Sequence, residues 1–384
     1  MSQLHAEVSV AQLSKVGEEL CGDKIVVNHT PKGTIIVLSD GLGSGVKANI
    51  LATLTTKIAS SMLTRGIPLD DVVSTIADTL PVCRQRNIAY STLHILKIAP
   101  SGLATIVEFD CPQSFLIRDG KVMPFPSTVE VISGKSIKEG KLLLVENDII
   151  VAVSDGIIHA GIGGLLKLGW GWKGIADHLQ SIVRPDSSAH FISDSIIRCS
   201  EGYYLGQPGD DSSIVTVKIR KARQLTILTG PPVDHSFDEK VVKRFMNQPG
   251  KKIVAGGTTA HIVSNVCDKP LIMDLSSYNE HIPPMGFIEG IDLVTEGILT
   301  LNAVLERIGQ GRTLTGGFSD GDAADRLIEM LLDADKINIF AGKSINPAHQ
   351  NPTFPFKINI KSQVLTKLQA ALEAKGKEVI IEWF

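Results

Sequence analysis

The chain has 384 residues, with 38 basic and 41 acidic side chains and a formal net charge of −3. That length points to two domains, each large enough to bury a core, and the near-balance of charge leaves no footprint for nucleic acid or another polyanion. The composition, 43% hydrophobic and 21% charged, is that of an ordinary globular protein. Five widely spaced cysteines form no CxxC pair, so neither a zinc site nor a disulfide framework is suggested. The first residues show no signal-peptide pattern, and no apolar run approaches the length of a membrane span. A soluble, cytoplasmic protein without a membrane partner is expected.

The opening region favours strands over Glu7–Leu13, Asp23–His29 and Gly33–Ser39, the last a nearly continuous apolar run. It ends in Asp40-Gly41-Leu42-Gly43-Ser44-Gly45. Helical spacing follows over Val46–Thr64, and Asp70-Asp71 opens a second helix that runs to about Leu80. Further strands are expected over Ala89–Ile98, Leu103–Asp110, Ser114–Arg118, Lys121–Phe125, Leu142–Glu146 and Ile149–Val153, with Asp119-Gly120 as a hairpin turn. Helices over Trp172–Ile182 and Ser187–Ser200 precede a strand at Ser213–Ile219. Grouped helices between antiparallel runs predict an α+β class, an antiparallel β-sandwich flanked by helices, for residues 1–222.

Beyond Arg220–Gln224 the pattern changes. Strands at Leu225–Thr229, Lys252–Ala255, Pro270–Asp274, Ile291–Thr295, Lys336–Phe340 and Lys377–Glu382 alternate with helices at Asp238–Asn247, Thr258–Val266, Thr300–Ile308, Asp322–Ala334 and Ser362–Lys375. This predicts an open-sheet α/β domain over residues 223–384, with a regulatory or ligand- or partner-binding role.

Four aspartates sit where predicted strands meet loops: Asp23, Asp40, Asp155 and Asp210, with Asp211 beside the last. Glycine follows Asp40 and Asp155 directly, which lets a backbone carbonyl approach an ion. Hard divalent cations take oxygen ligands of this kind. An Asp-Gly pair is also a common turn, and spacing alone leaves both readings open.

The ordered set Cys21-Gly22-Asp23, Asp40-Gly41-Leu42-Gly43-Ser44-Gly45, Ser154-Asp155-Gly156 and Gly209-Asp210-Asp211-Ser212-Ser213 resembles the metal-dependent protein phosphatases of the type 2C superfamily. The resemblance is to the bacterial branch named after stage II sporulation protein E, and it covers about residues 5–220. It implies two Mn²⁺ or Mg²⁺ ions. Asp40 would bridge them, the Gly41 carbonyl would bind one, Asp23 would hold one directly or through water, and Asp155 and Asp210 would complete the other side. Whether Asp210 or Asp211 is the direct ligand stays open. Asp40 and Asp155 are the residues on which catalysis would depend. Two metals about 3.5–4 Å apart clamp a phosphoryl group and activate a water, so no Ser or Cys nucleophile is needed. Ala89-Tyr90-Ser91-Thr92 and Asp119-Gly120 match weaker parts of the pattern. Two departures are that Ser44 stands where many relatives carry His, and that no counterpart of the phosphate-binding arginine of eukaryotic members is found.

The implied activity is hydrolysis of phosphoserine or phosphothreonine on a regulatory protein partner. Alternatives are a non-catalytic phosphatase-like binding module and a phosphatase of a small phosphorylated metabolite. A homodimer is left open. His159 is a candidate proton donor or a residue that only lines the site. Gly161–Gly174 is a candidate substrate-contact flap or a loop packed by Trp170 and Trp172. In the second domain, Gly256-Gly257-Thr258-Thr259 opens a helix and is a weak anion-site signal. Ala341-Gly342-Lys343-Ser344 and His281-Ile282-Pro283-Pro284, near Glu280 and Glu289, read as loops.

Overall fold

The computed structural model describes residues 4–30, 32–79, 82–83, 88–89, 91–132, 135–274, 282–310, 322–344 and 360–384. Leu80, Tyr90, Glu280 and His281, named above, lie outside them. Residues 1–221 and 222–384 form two compact units.

The first unit begins with β1 (Leu4–Leu13), β2 (Asp23–Thr30) and β3 (Gly33–Asp40), then α1 (Gly45–Thr64) and α2 (Leu69–Thr79). A short pair, β4 (Val82–Cys83) and β5 (Ile88–Ala89), leads to β6 (Leu93–Ile98), β7 (Leu103–Phe109), β8 (Phe115–Arg118) and β9 (Lys121–Pro124). Then come β10 (Thr128–Ile132), β11 (Lys135–Leu143), β12 (Ile149–Val153), α3 (Asp155–Ile158), α4 (Gly171–Ile182), α5 (Ala189–Tyr203) and β13 (Ser212–Lys221). One sheet has the order β1-β13-β12-β8-β9 and the other β10-β11-β7-β6-β3-β2. Their pairings are antiparallel throughout.

The continuous apolar runs have a simple cause. Alternate side chains of a strand point to opposite faces, and in this unit both faces are covered. Ile36, Leu96, Ile106, Leu116, Ile150 and Val217 meet between the two sheets. Ile35, Val37 and Ile95 face the other way, against Ala59 and Leu63 of α1 and Val72 and Ile76 of α2. Val151 and Val153 pack against Ile175 and Leu179 of α4 and Ile192 and Ile196 of α5. The result is four layers, helix–sheet–sheet–helix.

Two local expectations need correction. The strand expected over Leu142–Glu146 runs instead from Lys135 to Leu143, paired with Thr128–Ile132 in a hairpin the pattern does not announce. Its sequence, KSIKEGKLL, is dominated by lysines and a glycine, which hide the alternation. The one-turn helix α3 was also not expected, because four residues are too few to show a helical period.

The second unit contains β14 (Gln224–Thr229), α6 (Asp238–Met246), β15 (Lys251–Ala255), α7 (Gly257–Cys267), β16 (Ile272–Asp274), β17 (Met285–Phe287) and β18 (Leu293–Thr295). It continues with α8 (Ile298–Gly309), α9 (Ala323–Asp333), β19 (Lys336–Ala341), α10 (Ile360–Glu373) and β20 (Glu378–Trp383). The sheet order is β16-β17-β18-β15-β14-β19-β20. From β18 to β20 the strands are parallel, and β16 and β17 add an antiparallel edge. Apolar clusters cover both faces. The three-residue strand β17 is too short to register as a period.

Candidate metal centre

Asp23 opens β2 and Asp40 closes β3, and the two are register partners across the antiparallel pair. The buried run of β3 holds Asp40 on a rigid element. Its backbone is clamped to the next strand: Asp40 N–H donates to Thr92 Oγ1 (2.9 Å), and Thr92 N–H donates back to the Asp40 carbonyl (2.8 Å). Gly41 bridges to Ser91. Helix α1 reaches this edge through the small side chain of Ala48. A Cβ on Gly41 would fall on the Ala48 carbonyl, and one on Gly22 would lie 2.8 Å from Asp211 Oδ2 and 2.9 Å from Ala48 Cβ. Both glycines therefore serve close approach.

The other sheet supplies the remaining acids. Ser154 precedes α3, whose first residue is Asp155. Ser154 is tied to β13, donating its N–H to the Ser213 carbonyl (2.9 Å) and accepting the Ser213 N–H at Oγ (2.8 Å). Gly156 packs directly on the backbone of Asp211, and Tyr204 Oη donates to the Gly156 carbonyl (2.7 Å). Asp210 Oδ1 accepts the Asp211 N–H, and Asp211 Oδ1 accepts the Lys15 N–H, each at 3.0 Å. Asp23 and Asp211 are buried, whereas Asp40, Asp155 and Asp210 are half-buried.

These carboxylates act on one another. Burial first, then the charges of Asp23 and Asp155, push Asp40 far above the usual carboxylate range. Burial also raises Asp23, against the lowering effect of the Ser213 and Ser154 hydroxyls, with Asp211 and Asp155 adding to the rise. Asp210 is raised by burial and by Asp155. So much negative charge at one edge is stable only if protons or cations neutralise it.

The donor set fits divalent cations. Both Asp23 carboxylate oxygens and Asp211 Oδ2 are buried without a partner in hydrogen-bonding geometry, and unmatched buried oxygens call for a counter-charge. As they stand, no three His, Cys, Asp or Glu side chains among the described residues are set to hold one ion. Asp40 and Asp155 instead lie close enough for each charge to act on the other.

His159 is exposed at the end of α3. Trp170 and Trp172 belong to the packed layer under α4: Trp172 stacks on Phe115 at 4.6 Å and donates Nε1–H to the Gln113 carbonyl (2.8 Å). The loop before them is different. Ile162, Leu165 and Leu168 are exposed, Leu168 at 87%, as is Leu205 next to Tyr204.

Several supporting residues escaped sequence reasoning. Gln12 Nε2 donates to Ser213 Oγ (2.8 Å), Asn49 Nδ2 donates to the Cys21 carbonyl (2.7 Å), and Glu18 Oε1 accepts from the Ser44 hydroxyl (2.8 Å). Each joins segments distant in sequence, so no local pattern marks them.

The four-layer fold and the edge of acids from both sheets define a type 2C phosphatase domain. Residues 30–220 match the family model described as Stage II sporulation protein E (SpoIIE), and the N-terminal unit belongs to that family. Among solved structures, the fold is shared with the PP2C phosphatase domain plus a regulatory-domain fragment of SpoIIE from Bacillus subtilis, at 21% identity, with 58% of this chain and 64% of that chain covered and a TM-score of 0.50. The chain thus spans just under two thirds of that structure. The SpoIIE phosphatase domain alone, from the same organism, matches at 21% identity over 58% of this chain and 95% of that one, TM-score 0.46. RsbX in complex with magnesium matches at 20% identity over 57% and 100%, TM-score 0.42. No match was found among curated proteins. Among the described residues, no helix is long and apolar enough to cross a membrane.

Proposed function

We propose that the N-terminal unit hydrolyses phosphoserine or phosphothreonine on a regulatory protein, using two Mn²⁺ or Mg²⁺ ions. The observation that carries this reading is the Asp23–Asp40 pair across β2 and β3, met by acids of the other sheet, with both Asp23 oxygens unmatched in the interior. Asp40, the Gly41 carbonyl, Asp23, Asp155 and Asp210 would hold the ions. Asp210 and Asp211 each commit Oδ1 to a backbone N–H, and the unmatched Oδ2 of Asp211 makes it the alternative to Asp210 as direct ligand. Bound ions would lower the pKa of a water and stabilise charge on the transferring phosphoryl group. The chain's own task is to fix the carboxylates: α1 presses on Gly22 and Gly41, Thr92 clamps Asp40, and Tyr204 steadies the Asp155-Gly156 turn.

The exposed Ile162, Leu165 and Leu168, three large apolar side chains within one seven-residue loop, support a polypeptide substrate over a small metabolite, since exposed apolar surface of this kind marks a site of macromolecular contact. The test is phosphate release from a phosphoserine peptide by the purified chain with Mn²⁺. Activity that survives chelation, or that is unchanged in Asp40→Asn, would overturn the proposal.

A further inference from the structure

In the C-terminal unit the chain enters the sheet at β14, passes to β15, goes to the far edge at β16 and works back through β17 to β18 beside β15, then crosses to add β19 and β20 on the other side of β14. In open parallel sheets, ligands bind beyond the carboxyl ends of the strands at such a reversal, which here lies between β14 and β19. Thr229, Ala255, Thr295 and Ala341 are at one register level across the four strands. Alternation from Ile227, Ile253, Leu293 and Ile339 puts them all on the face of α8 and α10. Glycine follows at once after three of them, and Glu296-Gly297 after the fourth. The glycines serve close packing here: a Cβ on Gly342 would fall on the Pro231 carbonyl, and one on Gly297 would lie 3.1 Å from Gly256 Cα.

Two observations mark it as more than an edge. Lys361, in the first turn of α10, is only 8% exposed. Its Nζ lies over Gly230, where a Cβ would fall on it. It donates to the carbonyls of Gly342 and, at 3.4 Å, Ser344. Burial is the sole influence registered on its ammonium, which is held below its ordinary value with no carboxylate facing it among the described residues. The connection 345–359 carries no Asp or Glu in its sequence. A buried cation on neutral carbonyls is under-compensated, and an anion would offset that cost. The second observation is Thr295, 2% exposed, whose Oγ1 has no partner. It lies two strands from Thr229, about 10 Å away.

The chemistry also limits the ligand. The first β–α turn, Gly230-Pro231-Pro232, has two prolines without N–H donors, and Asp238 and Glu239 open α6. That turn is where a dinucleotide fold holds its pyrophosphate. Glu296 Oε2 already accepts from the first turn of α8.

We propose that the C-terminal unit binds a nucleoside or sugar monophosphate at these strand ends, with the phosphate on Lys361 and the first turn of α10 and a ligand hydroxyl on Thr295. The test is calorimetric titration of the full chain in EDTA with AMP, glucose 6-phosphate and inorganic phosphate. Chelation keeps the N-terminal site from contributing, so failure here is separable from failure of the phosphatase reading. Binding of at least one monoester is expected, weakened about tenfold or more in Lys361→Met, retained in Lys361→Arg, and weakened in Thr295→Val for the monoester but not for inorganic phosphate. No binding of any probe by the wild-type chain overturns the proposal. So does equal affinity in wild type and Lys361→Met. Should Lys361→Met fail to fold, an unchanged monoester affinity in Thr295→Val overturns it alone.

Discussion

The two units place opposite charge problems at the edges of their sheets. In the N-terminal unit, two antiparallel sheets deliver Asp23, Asp40, Asp155, Asp210 and Asp211 to one edge. In the C-terminal unit, a parallel sheet ends in small residues and glycines beside one buried lysine. The first edge is over-supplied with negative charge and demands cations; the second is short of it. The contrast teaches that backbone architecture alone does not decide what an edge binds. The side chains left without a counter-charge do.

The sharpest way to break this contrast is to neutralise the acid edge. Asp40→Asn should lower kcat/KM on a phosphopeptide by about 10²–10³-fold, the scale of losing one preorganised electrostatic group. Calorimetry should show Mn²⁺ binding weakened in parallel. Gly41→Ala comes next. Its Cβ would meet the Ala48 carbonyl, so α1 must retreat, at about 1–3 kcal/mol of stability read from urea melts.

A pH test separates carboxylate crowding from simple packing. Asp23 and Asp40 are raised to about 6 and about 10 in the fold. Groups with raised pKa values stabilise most below their unfolded values, near 4, and lose that contribution as pH climbs through the folded ones. Without metal, the melting temperature of the N-terminal unit should therefore fall from pH 5 toward pH 9. Saturating Mn²⁺ should remove most of that fall. An unchanged slope with Mn²⁺ would mean that the cations do not bind these acids.

The smallest expected effect concerns substrate. Leu168→Ser should cost a protein substrate about threefold to tenfold in kcat/KM, the scale of partial leucine burial. It should leave p-nitrophenyl phosphate hydrolysis and stability unchanged. Equal loss on both substrates would remove the argument for a polypeptide.

Much of the N-terminal fold was legible because both faces of its strands are buried. Gly33–Ser39 is a nearly continuous apolar run that leads into Asp40, and Ile149–Val153 is apolar throughout and followed by Ser154-Asp155. The hairpin at Thr128–Leu143 was not legible, since its lysines and glycine hide the period. The chain order of the aspartates could be read, but not the cross-strand pairing of Asp23 with Asp40, which is a property of register. Nor could Gln12, Lys15, Asn49 or Tyr204 be found, because each acts on residues remote in sequence. In the C-terminal unit the alternation of strands and helices was plain. Lys361 was invisible, as nothing local distinguishes a buried lysine from an exposed one.

The register of β2 against β3 has a consequence at the far end of that hairpin. Side chains alternate faces along a strand, so a slip by one residue would swing Asp23 to the opposite face from Asp40. The turn closing the pair joins Thr30 to Gly33, with Lys32 N–H donating to Thr30 Oγ1 (3.2 Å) and Thr30 Oγ1 donating to the Gly33 carbonyl (3.0 Å). It lies seven residue steps from Asp23, roughly 23 Å along the strand. Gly33 there has φ +125° and abuts the Ile98 carbonyl, a conformation that only glycine adopts freely. A single-residue insertion within β2 would uncouple the two acids without touching either one. Lengthening the turn itself would leave their phase intact.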